Sequence, residues 1–230
     1  MTDLHTHILP GMDDGAESVE EAITLLRAQV QQGVDTVALT PHYYRDKETV
    51  PEFLARREAA CSQLQEAMGD EEYPKIILGA EVAWSSRMTE WSDLEALCYE
   101  NTRTLLVELP VTPWQSDLFR QLYSLEGRLG IIPMIAHVER YFHFQKKKDM
   151  ERLLELGYPM QVSAAALFHI FDRKRAVELL EQYDGILISD CHNAMLRCPN
   201  MGDALQLIEK KKGQRLARQI AELTDDILVD

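Results

Sequence analysis

Short apolar runs alternate along this chain with stretches whose apolar residues recur every three or four positions. The runs lie at 2–7, 35–42, 75–82, 103–110, 131–138, 158–164 and 185–192. Their centres ("VALT", "KIIL", "TLLVEL", "ILIS") are continuous rather than alternating, as in parallel strands covered on both faces. Between them lie helical patterns. The first is opened by Ser18 and Glu21 at capping-box spacing and carries an apolar stripe of Ala22, Leu25, Leu26 and Val30. Others fall at 51–68, 116–129, 147–156 and 173–183, with further helix from 203 to 223. The stretch 84–100, with Trp84 and Trp91, reads as a short helix plus loop. Seven strand–helix units predict an α/β fold, and their number favours a barrel over an open sheet.

Bulk composition narrows the picture. At 230 residues the chain suits one domain spanning 1–230, and 46% hydrophobic with 27% charged residues is ordinary for a globular protein. No run of 18 apolar residues and no signal-like leader appears, so no membrane insertion and a cytoplasmic location are expected. Cys61, Cys98, Cys191 and Cys198 show no CxxC pairing and read as reduced thiols. A net charge of −14 argues against a nucleic-acid surface, and the short lysine runs at 146–148 and 210–212 read as solvated helix faces. A phosphorylated substrate would need local positive charge. A homo-oligomer is compatible with all of this.

Chemistry-bearing residues gather at the ends of the runs. The first ends in His5 and His7, the second in His42, the third in Glu81, the fourth in Glu108, the fifth in His137 and the seventh in Asp190 and His192. A His-x-His pair on a strand turns both imidazoles to one side, and Asp13 and Asp14 follow with hard oxygen donors. One histidine at a strand end is ordinarily a hydrogen-bonded structural residue. Recurrence in six of seven units, on the face where parallel strands of a barrel deliver their C-termini, points to a shared metal site. So many candidates exceed the needs of one ion and suggest two or three bridged by carboxylates; the donors suit Mn²⁺, Zn²⁺ or Fe²⁺. His143 and His169 lie away from strand ends and read as structural or exposed, and alternation turns Cys191 away from its neighbours Asp190 and His192. Arg140 follows His137, and Arg197 follows the last ligand pair; guanidinium forks beside a multi-metal cluster suit phosphate-ester hydrolysis.

The ordered set "DLHTHILPGMDDG", "TPHYY", "GAEV", "VELP", "AHVERY" and "SDCHN…R" resembles the polymerase and histidinol phosphatase (PHP) superfamily, and within it the bacterial protein-tyrosine-phosphatase branch tied to capsule and exopolysaccharide synthesis. The resemblance implies a distorted (β/α)7 TIM-like barrel holding up to three metal ions, commonly manganese. It implies that His5, His7, Glu81 and Asp190 hold one ion; that Glu81 bridges to a second shared with Glu108 and His137; and that Asp14, His42 and His192 hold the third. Arg140 and Arg197 would clamp phosphate, and the substrate would be phosphotyrosine on a protein, typically a bacterial tyrosine kinase controlling polysaccharide export. No HCxxxxxR loop is present, which agrees with a metal-dependent rather than cysteine-dependent phosphatase. Tyr43, Tyr44 and Trp84 are candidates to stack on the substrate ring. The alternative within the superfamily is a small-molecule phosphatase acting on histidinol phosphate or a sugar phosphate.

Overall fold

The structure, a computed structural model, describes residues 1–69 and 71–226. Strands and helices alternate through most of the chain: β1 (Thr2–Thr6), α1 (Val19–Gln31), β2 (Thr36–Leu39), β3 (His42–Tyr43), α2 (Val50–Met68), β4 (Lys75–Leu78), β5 (Glu81–Ala83), β6 (Thr104–Glu108), α3 (Asp117–Leu129), β7 (Ile132–Ile135), α4 (Lys147–Leu154), β8 (Gln161–Ser163), α5 (Ala164–Phe168), α6 (Arg173–Gln182), β9 (Ile186–Ile188), α7 (Met201–Lys212) and α8 (Gln214–Asp226). All seven expected strand regions contain strand. The runs 35–42 and 75–82, however, each split in two, into β2 with β3 and β4 with β5. Pro41 has no N–H to give at the first break, so only its carbonyl continues the ladder, accepting from Glu81 N–H at 3.1 Å.

Every pairing is parallel. The strands form the ladders β1–β2–β4, β3–β5–β6–β7 and β8–β9 among the described residues. Bridges from Thr6 to Cys191 and from Ile135 to Met160 link them. The strands thus make parallel sheets in an α/β fold rather than one uninterrupted ladder, because each is five residues or fewer and several end in irregular backbone.

A small central cluster takes Leu4 from β1, Ala38 from β2, Leu106 from β6, Met134 from β7 and Ile186 and Ile188 from β9. The larger apolar cluster lies between the strands and the helices around them. The β1–β2 register shifts between Asp3 and Thr6, an irregularity of the kind that re-aims side chains. Leu4 packs inward, whereas Asp3 reaches outward to Gln29 of α1, accepting its amide N–H at 2.6 Å.

Helix α1 shows one difference in detail. The Ser18 hydroxyl caps the Glu21 N–H at 3.2 Å, but the Glu21 carboxylate closes on the N–H of Glu17 rather than that of Ser18. Val30 is 45% exposed, and the polar Gln29 is buried in its stead. Gln29 faces Asp3, Ser189 and the Cys191 sulfur, so hydrogen bonding outweighs apolar periodicity at that turn. Between 84 and 100 the chain makes 3₁₀ turns at Met88–Glu90 and Leu94–Leu97. The expected helix 203–223 is two helices, broken at Gly213 with φ +93°. No helix among the described residues is long and apolar enough to cross a membrane.

Candidate metal centre

Register and loop geometry bring the strand-end residues together. His42 pairs directly with Glu81 across β3 and β5, and Glu108 pairs with Ala83, two residues further along the same face. His137 and Asp190 lie just past β7 and β9, with φ of +29° and +52°. Non-glycine residues rarely adopt such backbone, and it re-aims both side chains after strands that would otherwise alternate past the site. The loop "PGMDDG" folds back on β1: Ala16 N–H donates to the His7 carbonyl at 3.0 Å, and Gly15 packs against His7 with no room for a side chain.

All nine expected ligands converge. Donor atoms of His7, Asp14, His42 and His192 lie within 4.8 Å of one another, as do those of His5, His7 and Glu81, and those of His42, Glu81 and Glu108. Asp190 Oδ1 stands 3.7 Å from His5 Nε2 and 3.6 Å from His7 Nε2. His137 Nε2 is 2.9 Å from Glu81 Oε1 and 3.8 Å from Glu108 Oε1. His7, His42 and Glu81 therefore each belong to two groups and tie the three together. Most of the set is buried; Asp14 is the outlier, with its side chain 65% exposed at the mouth.

Two outer partners decide which imidazole nitrogens face the centre. His7 Nδ1–H donates to Asp13 Oδ2 at 2.6 Å, and His5 Nδ1–H donates to Gln161 Oε1 at 2.7 Å. With the Nδ1 atoms so engaged, the two Nε2 atoms are the ones turned to the centre, 3.1 Å apart and sharing a proton between them. Glu81 Oε2, Asp190 Oδ1, His42 Nδ1 and His192 Nε2 are buried and make no hydrogen bond. Glu81 Oε2 alone sits within 3.3 Å of nitrogens from His5, His7 and His42. Buried polar groups are almost always paired, so these orphaned oxygens and ring nitrogens mark a space complementary to cations. Imidazole mixed with carboxylate is a donor set suited to divalent transition metals.

The electrostatics agree. Burial disfavours a charged imidazole, yet the Asp13 and Glu81 carboxylates outweigh it and hold His7 up at about 10: a proton is held where electron density is concentrated. Burial likewise opposes ionisation of Glu81 and Asp190, but the surrounding histidines, joined at Asp190 by Arg140, keep both carboxyls below their usual range. Burial and the neighbouring His7 push His192 down to about 4. Glu81 and Asp190 are thus ionised and His192 is neutral at neutral pH.

Arg140 and Arg197 both donate to Asp190 Oδ2, the latter at 2.7 Å, while Oδ1 of the same carboxylate faces the histidines. Asp190 thereby joins the arginine pair to the cluster. Of the aromatic candidates, Tyr44 alone stands at the opening, 5.4 Å from the His42 ring, on a cavity of about 580 Å³ shared with Asp13, Asp14, His42 and Lys47. Tyr43 is wholly buried against Phe53 and Trp91, and Trp84 packs on the apolar core. Both therefore pack the protein rather than line the opening. His143 and His169 are exposed and share Asp172, and Cys191 is buried on the side away from the cluster, beside Gln29. The sequence does not single out Gln161, and it offers Asp13 beside Asp14 as a nearby oxygen donor without a place among the nine ligands; here Asp13 orients His7 instead. A polar residue in the middle of a buried strand was the available signal for Gln161.

A family model described as capsular polysaccharide synthesis, CpsB/CapC, matches residues 1–228. The tyrosine-protein phosphatase YwqE of Bacillus subtilis strain 168 is 32% identical over 242 aligned positions, covering 99% of this chain and 91% of the relative. The tyrosine-protein phosphatase CpsB of Streptococcus pneumoniae is 29% identical over 238 positions, covering 96% and 94%. A solved structure, from work describing YwqE of B. subtilis and CpsB of S. pneumoniae as metal-dependent tyrosine phosphatases, superposes with a TM-score of 0.83 at 27% identity, over 99% of this chain and 94% of its own.

Proposed function

The chain belongs to the CpsB/CapC family of capsular polysaccharide synthesis, and from that premise we propose that it is a metal-dependent protein-tyrosine phosphatase. The observation that carries this reading is the buried set of unpaired carboxylate oxygens and imidazole nitrogens around Glu81. We read the linked parallel ladders as a distorted (β/α)7 barrel forming one domain, with the site at its C-terminal end.

In this proposal His5, His7, Glu81 and Asp190 hold one ion, Glu81, Glu108 and His137 a second, and Asp14, His42 and His192 a third, with Mn²⁺ the preferred metal. When bound, the ions supply Lewis-acid activation of water and charge neutralisation at the phosphoryl group. The chain's own residues do the rest. Arg140 and Arg197 each expose a third or more of the side chain and keep N–H donors beyond those spent on Asp190, so both can bind phosphate oxygens. Tyr44 lines the opening where an aromatic leaving group would lie. A tyrosinate, with an ordinary pKa near 10, leaves without a strong acid.

The substrate we propose is phosphotyrosine on a protein, a bacterial tyrosine kinase of polysaccharide export. The four cysteines are free, consistent with action in the cytoplasm. Phosphate release from a phosphotyrosyl peptide and from histidinol phosphate, on metal-stripped protein with Mn²⁺ restored, tests the reading. Metal-dependent turnover favouring the peptide is expected. Preference for histidinol phosphate would instead make this a small-molecule phosphatase.

A further inference from the structure

The last ligand pair and Arg197 are joined by a tight turn. His192 and Asn193 both donate their backbone N–H to the Arg197 carbonyl, at 2.8 and 3.2 Å. Inside the turn, Asn193 Oδ1 accepts the N–H groups of Met195, Leu196 and Arg197, at 3.1, 2.8 and 3.2 Å. One side-chain oxygen thus takes three successive backbone donors, an extended form of the Asx turn.

Nothing apolar anchors this segment. Met195 is 86% and Leu196 92% exposed, so neither side chain packs the turn onto the protein. Its shape rests on Asn193 and the two bonds to the Arg197 carbonyl. The turn delivers the Arg197 guanidinium to Asp190 Oδ2, across from Arg140.

We propose that Asn193 is a positioning residue, acting through Arg197 on the phosphate group; this rests on the reading of Arg197 as a phosphate clamp. The Asn193 carboxamide oxygen spends its hydrogen bonds on the turn backbone. Its carboxamide oxygen holds the Arg197 backbone, and so pre-orients a long side chain that would otherwise lose rotamer freedom on binding each phosphate. Aspartate presents an acceptor of the same shape; alanine presents none.

The test uses the full chain loaded with Mn²⁺, with p-nitrophenyl phosphate as substrate and inorganic phosphate as competitive inhibitor. Metal content and melting temperature are read alongside. Asn193→Ala should raise KM and the phosphate inhibition constant on the order of tenfold, the loss of one charge-assisted contact. Bound metal per chain should stay at the wild-type value. Asn193→Asp should recover most of the loss. In an Arg197→Ala background, Asn193→Ala should add nothing further, because both changes remove the same interaction.

Wild-type inhibition by phosphate in Asn193→Ala would overturn the proposal. So would loss of metal with phosphate affinity retained, since Asn193 would then act through His192. An undiminished Asn193→Ala effect in the Arg197→Ala background would overturn it too. If Arg197→Ala alone leaves phosphate inhibition unchanged, it is the clamp reading that fails, and the positioning role falls with it.

Discussion

Replacing Gly15 with alanine probes how tightly the loop after β1 is fitted to the first ligand pair. A Cβ at this position would lie 2.0 Å from the His7 carbonyl oxygen and 2.5 Å from the His7 Cβ. Ordinary contact begins at 3.4 Å, so the loop and His7 would have to separate by about 1.4 Å. The loop cannot drift freely. Ala16 N–H is bonded to that same carbonyl at 3.0 Å, and Gly15 N–H to Asp13 Oδ1 at 3.0 Å, while Asp13 Oδ2 holds the His7 imidazole. Relieving the clash therefore moves either His7 itself or the Asp13 carboxylate that orients it. Metal ligands tolerate displacements of only about 0.2 Å, and disturbed outer partners typically lower metal affinity about 10–100-fold. Overpacking itself costs about 1–3 kcal/mol, which for a chain of this size lowers the melting temperature by roughly 2–12 °C. Metal titration by calorimetry, with thermal melts in chelator, reads both effects. The control is Gly127→Ala within α3, where a new Cβ meets nothing and a gain of about 0.5–1 kcal/mol is expected. Wild-type metal affinity and an unchanged melt in Gly15→Ala would refute the close fit.

Burial pushes the Glu139 carboxyl up to about 7, against the pull of Arg140, from an ordinary 4.5. Between those two values the unfolded chain has lost a proton that the folded chain keeps, so stability falls as pH rises, by roughly 3 kcal/mol in total. Glu139→Gln keeps an acceptor for the Ser163 N–H and has no proton to lose, so melts from pH 4.5 to 8 should flatten; an unaltered slope would contradict the assignment. His137→Ala and Asp190→Ala should each lower turnover on the order of a hundredfold or more while leaving the far-UV spectrum intact. Near-wild-type rates in both, with metal restored, would sink the proposed ligand set.

The fold was legible where one force dominates. Continuous apolar runs marked the strand regions because parallel strands here are covered on both sides, and α1 announced itself by Ser18 and its stripe. Legibility failed where hydrogen bonding competes with apolar periodicity. Val30 fits the helical stripe, but Asp3 points outward from β1 and draws Gln29 inward, so Val30 is turned to solvent. The strand breaks at Thr40–Pro41 and Gly79–Ala80 interrupt runs that look continuous in composition. Residue type alone does not distinguish an interrupted strand from a straight one, although Pro41 was the available sign.

For the site, ligands could be read because their types are chemically restricted and their positions recur at strand ends, whereas their outer partners could not. Asp13 and Asp14 are adjacent and identical in type, yet one turns back to His7 and the other projects into the opening, a division made by loop geometry. Gln161 sits in the strand that offers no ligand, and its carboxamide fixes the proton of His5. The two partners differ in charge, and that difference has a consequence. An anionic partner makes the His7 imidazole the more electron-rich donor, and His7, like His42, is shared between two of the ligand groups, whereas His5 belongs to one. A neutral amide stands behind His5, although the Nε2 atoms of both histidines face Glu81 and Asp190 alike. Of this pair, the more electron-rich donor is thus the one on which two groups draw, and the neutral amide stands behind the one that serves a single group.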